Sequence, residues 1–292
     1  MLKRRTSGSV VCPSCGSLVG VRDDRCYTCG RANPGLWGFG PVLRQLGADL
    51  GFVQIVVGGS TILYVLTLLS SGSDLDPYSG GLSFLVPSAR ALRLFGMSGA
   101  VPVFLFGAWW TLLSASWLHG NLLHILFNMM WVRQLGPATA DIIGPSRTVI
   151  IYTVAGVAGF LVSSTAGLFL AGLPIPILRG APFTLGASAS VFGLLGALVH
   201  YGRKGGSSLI RREAMSYAVT MFIFGLIMPG IDNYAHAGGF LGGYAASALM
   251  NPLTRERGDH LLIAIACLAA TFLAIAFSVV RGLGLLGVSG LS

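Results

Sequence analysis

The sequence predicts an all-α polytopic membrane protein with a small cysteine-rich head, and three observations predict it. Of its 292 residues, 53% are hydrophobic and 10% charged, with a mean hydropathy of +0.75; a soluble domain carries about 25% charged residues. Apolar segments long enough to cross a bilayer recur at seven places, near 52–70, 119–136, 147–170, 186–202, 215–230, 233–250 and 260–280. Four of the five cysteines fall in the first 30 residues as two Cys-x2-Cys pairs. In such a chain the net charge of +9 is read by position, because basic residues set membrane orientation. It argues for no nucleic-acid partner.

The head comes first. Residues 12–30 read CPSCGSLVGVRDDRCYTCG, two knuckles each with a glycine just after the second cysteine, and they resemble a compact zinc ribbon. Thiolates at Cys12, Cys15, Cys26 and Cys29 suit a tetrahedral site with Zn–S distances of about 2.3 Å, and metal binding would supply most of the folding energy of so short a segment. Disulfides are the competing reading, and a reducing cytoplasmic location argues against them. Four cysteine ligands leave no open position for water or substrate, so the expected zinc is structural, and no cofactor is expected for catalysis. Cys267, in the last span, reads as a small buried hydrophobe.

The expected domains are a cytoplasmic zinc ribbon over 1–33, a Gly/Pro-rich linker over 34–51, a six-helix membrane core over 52–250, and a cytoplasmic loop, seventh transmembrane helix and tail over 251–292. Residues 1–51 lack a continuous apolar core and read as carrying no cleavable signal peptide, so the first span is expected to direct its own insertion. Of the 19 Lys and Arg, all but Arg90, Arg93, Arg179 and Arg281 lie before the first span or at the even-numbered connections. That side is the cytoplasmic one. The N-terminus is then cytoplasmic and the C-terminus outside, with a bacterial plasma membrane the expected location.

Ionisable groups at membrane depth are costly and mark function by default. HGNLLHILFNMMW in the second span places His124 and Asn128 at i and i+4 on one helix face, with His119 just before. DNYAHAGGFLGGY carries His236 at the start of the sixth span, above a strip made by Gly239 and Gly243, with Gly238 and Gly242 offset by one. The fourth span opens GASASVFGLLGA, in which Gly186, Ala189, Gly193 and Ala197 repeat the small-residue spacing. Such strips pack helices closely, and a lone serine among them is ordinarily part of the packing. Orientation separates the readings. The second, fourth and sixth spans all run from outside to inside, so His124, Ser188 and His236 share one outer layer. A serine needs a base to become a nucleophile, and histidine is the usual one. His124, the Asn128 side chain and the Ser188 N–H are candidate oxyanion donors. Ser190 faces away from Ser188 along the helix, Asp232 reads as a solvated loop carboxylate, and His200 and His260 read as ordinary interfacial histidines.

These segments, HGNLLHILFN, GASASVFG and AHAGGFLGG in that order, resemble the rhomboid family of intramembrane serine proteases. The resemblance implies a six-helix core with a water-filled cavity open to the outside, a catalytic dyad of Ser188 and His236 without an acid, and an oxyanion site at His124 and Asn128. It implies a structural role for His119 and an aromatic, Phe192, packed beside the histidine. Segment 71–115 would be the family's membrane-embedded first loop, and the seventh span an added helix. The sequence departs from the family at Ala189, where glycine usually follows the nucleophile, and in lacking the family's Trp-Arg pair in the first loop.

The expected activity is hydrolysis of peptide bonds in or next to transmembrane helices, with transmembrane proteins as substrates and the lipid bilayer as surroundings. The alternative is a non-catalytic rhomboid-like scaffold that binds transmembrane helices and recruits a cytoplasmic protein partner through its zinc ribbon. The Ser188/His236 pair favours the first, and only Ala189 speaks for the second. A transporter would need a matching pair of broken-helix repeats, which the sequence does not show.

Overall fold

The computed structural model describes residues 5–12, 16–38, 49–81, 83–175, 178–228 and 230–289. The chain divides into two compact units, Met1–Phe52 and Val53–Ser292.

In the first unit, β1 (Ser9–Val11) pairs antiparallel with β2 (Leu18–Gly20), with Val10 opposite Val19. Among the described residues its buried cluster is Val10, Val19 and Val21 with Cys12 and Cys26. An apolar set of that size does not hold a fold of this length without a further staple. Both knuckles close with the same turn. Gly16 N–H donates to the Cys12 carbonyl at 3.0 Å and Gly30 N–H to the Cys26 carbonyl at 2.8 Å. Each glycine sits in the left-handed region, at φ +77° and +71°, which is why glycine follows each pair.

The second unit is helical. The expected spans correspond to α1 (Phe52–Ser71) and, after the short α2 (Ala89–Leu94) and α3 (Thr111–Ser114), to α4 (Leu122–Ile143), α5 (Pro145–Phe169), α6 (Ser188–Lys204), α7 (Ser208–Ile227), α8 (Asn233–Met250) and α9 (Gly258–Ser289). The helix α7 begins well before the expected 215. Ser207 caps it by accepting from Ile210 N–H, and Arg211, Arg212 and Glu213 extend it as an exposed first turn. Hydropathy alone does not see such a turn. Cys267 is half-buried in α9.

Among the described residues three helices, α1, α5 and α9, are long and apolar enough to cross a membrane by length and composition. The 17-residue α6 is instead wrapped in protein, with Ala189 to His200 all buried. Its small residues explain how. A Cβ at Gly239 of α8 would overlap the Ala189 carbonyl, one at Gly243 the Gly193 carbonyl, and one at Gly196 of α6 the Phe240 carbonyl. The backbones of α6 and α8 therefore touch along the predicted strips. On its other side α8 packs Gly242 against Ala158 of α5.

Between α1 and α4, β3 (Asp76–Tyr78) pairs with β4 (Phe84–Val86), followed by α2, a π-helical turn at Val101–Leu105 and α3. Tyr64 of α1 holds the hairpin by donating to the Leu85 carbonyl at 2.5 Å.

Arg147, counted from the sequence with the charges of an even-numbered connection, is 1% exposed. Its guanidinium donates to the carbonyls of Ile143, Thr254 and Arg255 and to His260 Nδ1, while Glu256 accepts from its backbone N–H at 2.8 Å. This fan ties the turn between α4 and α5 to the start of α9.

Candidate active site

Three helices deliver the site, and each begins at the same end of the bundle. Asn121 caps α4 by accepting from His124 N–H at 2.8 Å, which places His124 in the first turn and Asn128 one turn on. Ser188 is the first residue of α6. Asp232 caps α8 by accepting from Ala235 N–H at 3.0 Å, which places His236 in its first turn.

Ser188 Oγ lies 2.9 Å from His236 Nε2. The opposite ring nitrogen, Nδ1, is 3.1 Å from Asn233 Oδ1. An amide oxygen only accepts, so Nδ1 carries the ring proton and Nε2 presents its lone pair to the serine hydroxyl. Phe192, one turn beyond Ser188, stacks on the imidazole with centroids 4.2 Å apart and planes at 15°. The ring is thus fixed at both nitrogens and on one face, and His236 is only 5% exposed.

His124 is set the opposite way. Its Nδ1 accepts from Gly120 N–H at 3.3 Å, so Nε2 carries the proton and is a donor. That side of the ring lies against Gly186, two residues before Ser188. A Cβ there would come within 2.6 Å of His124 Nε2, and Gly186 has φ +123°, so both space and backbone require glycine. Asn128 is buried and spends one amide proton on the His124 carbonyl at 2.9 Å, leaving the other. At the α6 N-terminus, Val191 N–H to the Ala187 carbonyl is the first bond of the helical ladder, so the Ser188 N–H precedes it.

His119 is fully buried, its ring 5.2 Å from that of His124. Ser190 is buried with its Oγ 3.4 Å from Ser116 Oγ. His200 pairs with Ser247 Oγ at 2.9 Å and His260 with Arg147, both in structural contacts. The Ala189 methyl points at Gly159 of α5, so the residue after Ser188 is accommodated by a glycine on the neighbouring helix.

Asp232 is not the solvated loop carboxylate read from the sequence. Besides capping α8, it accepts from Thr184 Oγ1 at 2.7 Å and from Ser163 Oγ. Thr184 in turn exchanges two backbone hydrogen bonds with Ser98, at 3.1 and 2.8 Å. The carboxylate therefore joins α5, the segment leading into Ser188 and the helix bearing His236. Asn233 was also missed, although its position three residues before His236 on one helix is a legible signal.

In the head, the Sγ atoms of Cys12, Cys26 and Cys29 lie within 4.8 Å of one another, and Cys12 and Cys29 are 3.7 Å apart. Tetrahedral Zn–S bonds of about 2.3 Å put sulfurs ~3.8 Å apart, so these three fit a zinc ion. Cys15, the expected fourth ligand, lies outside the described residues.

Residues 106–253 match the Rhomboid domain family model. Rhomboid protease GluP of Bacillus subtilis (strain 168) is 33% identical over 167 residues, covering 56% of this chain and 30% of that protein. RHOMBOID-like protein 4 of Arabidopsis thaliana is 30% identical over 214 residues, covering 66% of this chain and 50% of the relative. Inactive RHOMBOID-like protein 8 of Arabidopsis thaliana is 29% identical over 218 residues, 68% of this chain and 58% of the relative. The chain thus spans only part of the length of these curated relatives. Its helices and the segment joining them, taken with a family match over half the chain, make it a multi-pass membrane protein that belongs to the rhomboid family.

Proposed function

We propose that this protein is an intramembrane serine protease that hydrolyses peptide bonds in or next to transmembrane helices of membrane-protein substrates. The observation that carries the reading is the 2.9 Å contact of Ser188 Oγ with His236 Nε2, made with the tautomer a general base needs. Ser188 Oγ attacks the scissile carbonyl carbon as His236 Nε2 takes its proton. The oxyanion that forms is met by the Ser188 N–H, the His124 Nε2–H and the unspent Asn128 amide proton. Collapse breaks the C–N bond, and His236 returns the proton to the leaving amine. Water, deprotonated by the same nitrogen, then releases the acyl group from Ser188. Asn233 has the tautomer-holding place that a carboxylate fills in a triad. A substrate helix must unwind to reach Ser188, because helical amides in lipid are internally bonded.

A non-catalytic scaffold is the second reading, and the relative named Inactive RHOMBOID-like protein 8 is the reason to keep it. Reaction with a fluorophosphonate separates the two. The protease reading expects covalent labelling at Ser188 that His236→Ala abolishes, whereas a scaffold with no activated serine stays unlabelled.

In the head, Cys12, Cys26 and Cys29 together with Cys15 would hold one structural zinc, which would cross-link the two knuckles and do no chemistry. We expect about one zinc per chain by metal analysis, lost in Cys12→Ser/Cys26→Ser, with substrate cleavage retained when residues 1–40 are deleted. Zinc content unchanged in that double variant would remove the assignment. The ribbon would offer a cytoplasmic partner a surface.

The distribution of basic residues supports a cytoplasmic N-terminus, with Ser188 and His236 near the outer surface. A reporter active only outside the cytoplasm is expected to work after Ser292 and to fail after Leu253. The reverse pattern would invert the topology.

A further inference from the structure

A concavity opens at the end of the bundle where α6 and α8 begin, between α9 and the segment containing α2, the π-helical turn and α3. Its volume is about 170 Å³, and its walls include Arg93, Phe106, Trp110, Phe183, Ser278 and Arg281. The helix α9 supplies one wall. Trp110 Nε1–H donates to Ser278 Oγ at 2.8 Å, Phe277 meets the Trp110 ring edge-on at 4.6 Å, and Gly282 leaves room for Leu94.

Its polar groups are spent, except for the arginines. Trp110 is used by Ser278, whose own hydroxyl donates to the Ala274 carbonyl at 3.0 Å, and Thr111 donates to the Ala108 carbonyl at 2.6 Å. The Arg281 guanidinium lies 5.0 Å over the Trp110 ring and that of Arg93 5.9 Å over Phe183. A cation over a ring face uses no hydrogen-bond donor there, so the N–H groups of both remain free to bond. None of the lining residues is acidic. Among the described residues the only ion pair is Arg257–Asp259, near the start of α9. Two guanidiniums sharing one pocket without a carboxylate repel each other and present donors only, so the complement is an anion with several acceptor oxygens.

The surroundings identify its source. Leu105, Phe106 and Val280 beside the pocket are 70%, 65% and 68% exposed, an apolar rim that a soluble anion would leave bare and an acyl chain would cover. Arg281 stands toward the far end of a helix long and apolar enough to cross the membrane, which is where a spanning helix meets lipid headgroups. We propose that Arg93 and Arg281 bind the phosphate of an anionic phospholipid whose acyl chain lies along the Phe106 side. One lipid then joins α9 to the segment containing α2 and α3. The inference needs only the membrane location and stands apart from the protease reading.

The test is native mass spectrometry of the full-length protein in detergent, titrated with phosphatidylglycerol, with phosphatidylcholine of the same chains, and with inorganic phosphate. One phosphatidylglycerol per chain is expected to be retained where phosphatidylcholine is not, and inorganic phosphate should not displace it. Arg93→Gln and Arg281→Gln should each weaken retention about tenfold, the loss of one charge-assisted contact. Arg90→Gln, which removes the same charge from α2 outside the pocket, should not. Arg93 is exposed, so Arg93→Gln carries the test alone if the α9 variant fails to fold. Equal retention of phosphatidylcholine, or retention indifferent to both pocket substitutions, overturns the proposal. Displacement by inorganic phosphate at comparable concentration makes this a free-anion site instead. Unchanged lipid retention with impaired cleavage of an acid-flanked substrate gives the arginines to the substrate.

Discussion

Ser188→Ala and His236→Ala each bring cleavage of a single-span membrane substrate down by at least ~10⁴-fold, and the double variant is no worse than either single one. Non-additivity is the diagnostic part. With Oγ and Nε2 2.9 Å apart, neither group has a use once the other is gone. Asn128→Ala removes one oxyanion donor among several and should cost ~10²-fold, while Ser190→Ala, whose hydroxyl faces Ser116, should cleave normally. Asn233→Ala frees the Nδ1 proton and should lower kcat while leaving Ser188 in place. The assay compares all variants in liposomes after equal folding is established by thermal melting. Near-normal cleavage by Ser188→Ala would end the protease reading and return that serine to helix packing.

The meeting of Ser188, His236 and His124 was legible because each stands where an apolar segment begins. Each of the three falls in the first turn of its helix, and Phe192 stacks on His236 one turn beyond Ser188, as local helical spacing implies. The glycine strips were legible for the same reason, since small residues at i and i+4 on two helices have few other uses in a membrane. What escaped was set by partners far along the chain. Arg147 looks like one more interfacial charge until residues 107 to 113 positions later fold over it. Asp232 looks like a loop carboxylate because its partners, Thr184 and Ser163, are 48 and 69 positions away and resemble any hydroxyls in apolar sequence. Hydropathy reports burial of a segment; it carries nothing about which buried hydroxyl meets which carboxylate.

Asp232 yields the second large effect. The Nδ1 of His236 is taken by Asn233, so in the proposed mechanism Asp232 is a positioning residue and not a third member of the dyad. It caps the helix that carries His236 and holds the segment that leads into Ser188, which makes the Ser188–His236 separation depend on it. Displacement of reacting groups by about 1 Å costs ~10²-fold in rate. Asp232→Ser retains a cap acceptor for Ala235 but is too short to reach Thr184 and Ser163. We therefore expect kcat to fall ~10²-fold with KM little changed and stability reduced by no more than ~1 kcal/mol. Thr184→Val, which deletes one of the two hydroxyl contacts, should produce a smaller loss of the same kind. The pH profile separates positioning from direct electrostatics. A carboxylate acting on His236 would stabilise the imidazolium, so its removal would move the acid limb of kcat/KM to lower pH by about a unit. A carboxylate acting through the backbone should lower the whole profile and leave that midpoint where it was. A shifted limb would make Asp232 part of the proton-transfer machinery, and unchanged kcat in Asp232→Ser would show that α6 and α8 hold the dyad in register through their glycine strips alone.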